Sequence, residues 1–186
     1  STVALYRVRS LLASLRESGR SEPRILFTTY TNALVASSVQ LLRHLLGDDA
    51  NLVTVRPADS LVMDIVSRTE GRPHVIDPVG LQAALQESLG SAVFAGNALQ
   101  RLAQKQTIER LTSDYLYQEI GSVIEARELQ TLDSYLAAPR TGRRVPLNMT
   151  QRTAVWRVHE ALERALARRG MTTWERLRRR AAEIVR

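Results

Sequence analysis

Apolar residues at Val3, Ala4, Val8, Leu11, Leu12 and Leu15 recur at the spacing of one helix face, and Gly19, Ser21 and Pro23 then break the pattern. Residues 25–29, Ile-Leu-Phe-Thr-Thr, form a short apolar run rich in β-formers and predict a buried strand. Thr31 or Asn32 offers a cap for a helix whose face is Leu34, Val35, Val39, Leu42, Leu45 and Leu46, ending at Gly47. A second strand is expected over 52–55, after which Pro57 and Asp59 open another helix through Val66. Helix and strand alternating across short joins is the grammar of a parallel α/β layer.

The grammar changes after Gly71-Arg72-Pro73. Helical spacing then dominates over 81–89, 98–102 and 108–124, and strand signals nearly vanish. A short helix over 132–138 stops at Pro139, and Arg140-Thr141-Gly142-Arg143-Arg144 makes a basic turn. Residues 150–169 form a long amphipathic helix carrying Val155, Val158, Leu162 and Leu166, closed by Gly170. Thr172 or Thr173 caps a last helix to Val185. No internal repeat or low-complexity linker interrupts the chain. The expected architecture is a small α/β piece followed by a helical block.

Composition narrows this picture modestly. The 186 residues are 44% apolar, ordinary for a globular protein, and contain no apolar run of membrane-spanning length. The first fifteen residues mix arginine into their apolar positions, unlike a secretory leader. Cysteine is absent, which excludes disulfides and thiolate metal sites and fits a reducing, cytoplasmic setting. His44, His74 and His159 are scattered, so no metal site is expected.

Charge is more telling once it is divided along the chain. Residues 140–186 hold 13 arginines against Glu160, Glu163, Glu175 and Glu183, giving +9, so residues 1–139 carry −2 of the total +7. A basic end is the footprint of a polyanion binder, although a solvated arginine-rich helix surface would look the same. Lys105 is the only lysine, and arginine grips phosphate bidentately.

The segment with most chemistry is Thr28-Thr29-Tyr30-Thr31-Asn32, between the first strand and its helix. Ligands of open parallel sheets bind at the carboxyl edge of the strands. There an aromatic ring can stack on a base, while hydroxyls, an amide and helix N-terminal N–H groups hold phosphate oxygens. The competing reading is a Thr/Asn helix cap beside a half-buried tyrosine.

Residues 25–32 resemble motif Ia of superfamily 1 helicases of the UvrD/Rep type, where a strand ends in Thr-Phe-Thr-Asn and the loop contacts single-stranded DNA; Tyr30 stands for the Phe and Ala33 for a frequent Lys. Residues 1–8 resemble the helix after the P-loop, with Ser1 in the place of the Mg²⁺-coordinating hydroxyl. Residues 155–162 and 170–177 are similar to a family segment, Trp-x-x-Val-(Tyr/His) followed by Gly-Leu-x-Asp-Phe-x-x-Leu, with Trp174 for the Phe and Thr173 for the Asp. In motif Ib, Ser60-Leu61 fits the pattern, whereas Pro57 and Asp59 replace its Thr and His; Asp59 is expected to cap its own helix.

The resemblance implies a partial RecA-like parallel sheet, a P-loop NTPase core fragment, with a mostly helical insertion. Residues 1–72 would belong to subdomain 1A, 73–168 to the helical 1B insertion, and 169–186 to a return helix of 1A. The nucleic-acid contacts it implies are Thr29, Tyr30, Thr31, Asn32 and Ser60, joined by Arg140, Arg143 and Arg144 of the basic turn. The bland alternative for that turn is ion pairing with Glu125, Glu128 or Asp133.

ATP and Mg²⁺ would be cofactors of a parent DNA helicase, with Ser1 relevant only if a P-loop precedes it. This stretch carries no P-loop or Walker B strand and is expected to be inactive as an ATPase alone. Partners would be single-stranded or partly duplex DNA, with no membrane; a protein partner could dock on the helical insertion. The rival reading is a non-catalytic, helicase-related interaction or nucleic-acid-binding module. Trp156 and Trp174 are expected in the core, Glu125 and Glu128 at the surface, and Arg176 and Arg178 to Arg180 on a solvated face.

Overall fold

A computed structural model describes residues 2–20, 22–143 and 145–186. The chain separates into two compact units, one through Gly71 and one over Arg72–Arg186. In the first, α1 (Thr2–Glu17) leads to β1 (Ile25–Thr29), α2 (Asn32–Leu46), a 3-10 turn (Gly47–Leu52), β2 (Val53–Pro57) and α3 (Ala58–Glu70).

β1 and β2 pair in parallel, with Ile25 opposite Val53 and Thr29 opposite Pro57. The helical crossover through α2 is what permits parallel pairing of neighbouring strands. Leu5, Val8 and Leu12 of α1 meet Leu42 of α2 and Val53 of β2, with Ile25, Phe27 and Val55 packed alongside. Each such aliphatic side chain contributes about 1.5–3 kcal/mol by leaving water. β1, expected to be buried, is only half-buried at alternate residues, and Leu26 and Thr28 face outward. α2 ends at Gly47, whose φ of +59° suits a residue without a Cβ. Asp59 lies in the first turn of α3 rather than at the cap, which is Pro57; an acid there still complements the helix dipole.

The second unit is built around α8 (Met149–Arg168), preceded by β3 (His74–Val75), α4 (Pro78–Ser91), α5 (Ala98–Arg110), α6 (Ser113–Glu119), a π-helical turn (Ile120–Glu125) and α7 (Leu132–Ala137). β4 (Met171–Thr172) and α9 (Trp174–Ile184) follow, and α9 lies within this unit. Val155, Val158, Leu162 and Leu166 of α8 share one buried cluster with Ala84, Leu85, Leu116, Ile120, Ile124 and Tyr135. Capping boxes at Asn97 and Asn148 start α5 and α8. The Arg152 guanidinium closes the far end of α7 by donating to the carbonyls of Tyr135, Leu136 and Ala138.

Two expectations need correction here. The single helix expected over 108–124 is broken: α5 stops at Arg110, and the Thr112 hydroxyl accepts from Tyr115 N–H to start α6. Beyond α6 the backbone widens into the π-helical turn. The block is also not purely helical, because β3 and β4 form a two-residue parallel ladder, His74 opposite Met171 and Val75 opposite Thr172. Trp156 is core, stacked on Tyr135 at 6.0 Å, whereas Trp174 is half-buried with the Arg178 guanidinium 5.8 Å from its ring centre. Among the described residues, no helix is long and apolar enough to cross a membrane.

Candidate nucleic-acid interface

The carboxyl ends of β1 and β2 lie side by side, so the segment after β1 and the start of α3 share one end of the first unit. Thr29 Oγ1 donates to the Thr31 carbonyl at 3.2 Å, tightening the turn. Thr31 Oγ1 accepts from Leu34 N–H at 3.3 Å, so this residue is the N-cap of α2. Asn32 is the first residue of α2 and is exposed. The capping alternative therefore holds for Thr31.

Tyr30 behaves differently. The residue is 84% exposed, at the strand end beside the start of a 15-residue helix. First-turn N–H groups of a helix lack intrahelical acceptors, and the end carries a partial positive charge. A ring next to such donors can stack on a base while the donors face a phosphate. Ser60 lies on α3 at the same end, but its Oγ accepts from Arg56 at 2.9 Å, and Arg56 also reaches Asp64 at 2.6 Å. Ser60 is thus engaged within the unit.

Arg140 and Arg143 belong to the second unit and turn inward. Both close around Glu119, which has no exposed surface. Arg140 Nε and Nη2 donate to its two oxygens at 2.7 and 2.9 Å, and Arg143 Nε donates to Oε2 at 2.9 Å. Tyr135 Oη donates to Oε1 at 2.9 Å. Arg140 further donates to Tyr115 Oη and to the Val145 carbonyl, while the Arg143 guanidinium sits 4.9 Å from the Tyr115 ring centre. The carboxylate these arginines use is Glu119, not Glu125, Glu128 or Asp133. Arg144 and Ser1 lie outside the described residues.

Burial by itself would raise the Glu119 carboxyl, but the bonds from Arg140 and Tyr135 and the charge of Arg143 hold it below the usual range. The same burial and the adjacent carboxylate push the Tyr135 phenol well upward. Sequence reasoning passed over Glu119. A signal existed: it shares a helical face with Leu116, Ile120 and Val123, and an acid on an apolar stripe needs a buried partner.

A cavity of about 260 Å³ lies between the π-helical turn, α8 and α9, lined among others by Glu125, His159, Glu163 and Arg176. Arg176 pairs with Glu125 at 3.0 Å and with Glu163, so Glu125 is a buried ion-pair partner rather than a surface acid. Burial, reinforced by Arg176, pushes His159 down to about 4. Of the other imidazoles, His44 bonds the Gln40 carbonyl and His74 sits in β3. Among the described residues no group of three metal-ligating side chains exists.

By its fold the chain is a mixed α/β protein, predominantly helical, with two-stranded parallel sheets. No protein-family model, curated protein or solved structure matches it.

Proposed function

We propose that the chain is part of a superfamily 1, UvrD/Rep-type DNA translocase, and that the β1–α2 edge grips single-stranded DNA. The observation that carries this reading is the Tyr30 ring, left in solvent at the carboxyl end of a parallel strand pair beside a helix N-terminus. An amphipathic ring is normally drawn at least partly into the fold, so a solvated one at a sheet edge suits a stacking role. In this reading the α/β unit is a portion of a RecA-like core, and the helical unit is its 1B insertion. ATP and Mg²⁺ would be handled by the parent enzyme. The residues here include no glycine-rich phosphate cradle, and this stretch by itself is expected to hydrolyse no ATP.

Fluorescence anisotropy with a labelled oligothymidylate tests the assignment. Tyr30→Ala should weaken binding about 5- to 150-fold, the range of one lost base stack, while Tyr30→Phe should bind like the parent sequence. Equal binding by Tyr30→Ala would overturn it. A non-catalytic interaction module is the second reading, favoured by Leu99 and Leu102 exposed on α5 and by the inward turn of Arg140 and Arg143. It predicts no oligonucleotide binding even at low salt.

A further inference from the structure

Positive charge in the second unit is matched unevenly by carboxylates. Among the described residues, pairs of arginines share one glutamate: Arg140 and Arg143 on Glu119, Arg168 and Arg169 on Glu87, Arg179 and Arg180 on Glu183. The first of these is interior. The second is open to solvent, with Arg168 57% and Arg169 36% exposed, at the end of α8. One helical turn earlier, exposed Arg164 makes no ion pair with any described residue. Its neighbour Glu163 is directed to Arg176 and His159 instead. The last turns of α8 therefore carry three guanidiniums, two of which are held by a single carboxylate.

The geometry of that carboxylate suggests the partner. Arg168 Nη2 donates to one Glu87 oxygen at 2.5 Å and Arg169 Nη2 to the other at 2.6 Å. A nucleic-acid phosphodiester likewise carries one negative charge over two free oxygens, and guanidinium forks suit that shape. Glu87 thus offers the two guanidiniums the same charge and oxygen pair that a backbone phosphate would offer. We propose that Arg168 and Arg169 at Glu87, with Arg164 one turn earlier on α8, form a phosphate-contacting surface for nucleic acid, with Glu87 as an internal competitor. It follows the proposed function in its class of partner but not in its site, which lies in the other unit. Such a surface tracks a backbone without reading bases.

The test uses the full chain and a labelled oligothymidylate titrated at several salt concentrations. Replacing Arg164, Arg168 and Arg169 together by Ala should flatten the salt slope by about 2, given about 0.7 per phosphate contact on a single strand. Lysine at all three positions should restore most of the slope. Glu87→Gln should tighten binding several-fold, an effect that a purely structural ion pair would not give. Arg164→Ala alone, at an exposed position, should lower the slope without touching the fold. A slope unchanged in the triple variant, with Tyr30→Ala still weakening binding, would overturn this surface and leave the β1–α2 reading standing. A flattened slope with Tyr30→Ala inert would support the surface and overturn that reading. Binding to phosphatidylserine vesicles but not to the oligonucleotide would overturn both.

Discussion

Two segments, 28–32 and 140–143, are rich in the residue types that hold nucleic acid, and the fold treats them oppositely. After β1 the chain leaves the sheet at its carboxyl edge, Thr31 turns back to cap α2, and the Tyr30 ring is left in solvent. At 140–143 the same backbone freedom, with Gly142 at φ +82°, brings Arg140 and Arg143 down onto a buried glutamate. Exposure of a polar side chain is decided by what lies beneath the turn, not by the turn. An acid on an apolar helix face demands cations, and the nearest arginines supply them.

Removing that acid should produce the largest effect. Glu119→Ala leaves Arg140 and Arg143 without their carboxylate and should destabilise the second unit by about 3–5 kcal/mol, read by denaturant unfolding. If the loss were below about 1 kcal/mol, the two segments would not differ as described. Acid should act in the same direction. The folded-state pKa of Glu119 is depressed, so its stabilisation is complete above the ordinary carboxylate value and is lost as pH falls through the lower folded one. Melting temperature against pH for the parent chain and Glu119→Gln checks this, since the variant should lack that part of the decline.

His159 sharpens the contrast in a higher pH window. Its folded value of about 4 lies below the usual 6.5, so the unfolded chain binds the extra proton first. Its contribution is present above about 6.5 and fades as pH falls toward 4, amounting to about 3 kcal/mol at most. His159→Leu should flatten stability across that window while leaving the Glu119-linked loss below it. An unchanged profile would show that His159 is not held neutral by burial.

The first unit should respond more gently at its capping threonine. Thr31→Ala removes the acceptor for Leu34 N–H and should cost about 1 kcal/mol, measurable as a shift in the denaturant midpoint. Thr31→Asn should recover most of it.

Legibility in the sequence followed the reach of the interactions. Local chemistry was readable: the apolar run at 25–29 is β1, Thr31, one of the two caps offered, is the cap of α2, and the stripe through Val155, Leu162 and Leu166 is the buried face of α8. The break at Thr112 escaped because the apolar spacing across it continues, so periodicity outweighed the capping signal. The β3–β4 ladder escaped because it joins residues almost a hundred positions apart through two residues each. At the candidate site, the position of Tyr30 at a strand end could be read from pattern, but its exposure could not. Glu119 could have been flagged as an acid on an apolar stripe, but its partners come from α7 and from the turn after it, and no spacing rule links them.

The smallest effect on stability and the most decisive on function should coincide at Tyr30. With 84% of its surface in solvent, its truncation to Ala removes little packing, so unfolding free energy should change by no more than about 0.5 kcal/mol. Arg140→Ala should behave conversely, with a large stability loss from an interior ion pair and, once folded at low temperature, little change in oligonucleotide affinity. Measured side by side, the two variants form a double dissociation between binding and folding. If Tyr30→Ala destabilised the chain as much as Arg140→Ala, the ring would be anchored to the fold, and the sheet edge would lose its claim to be a nucleotide-facing surface.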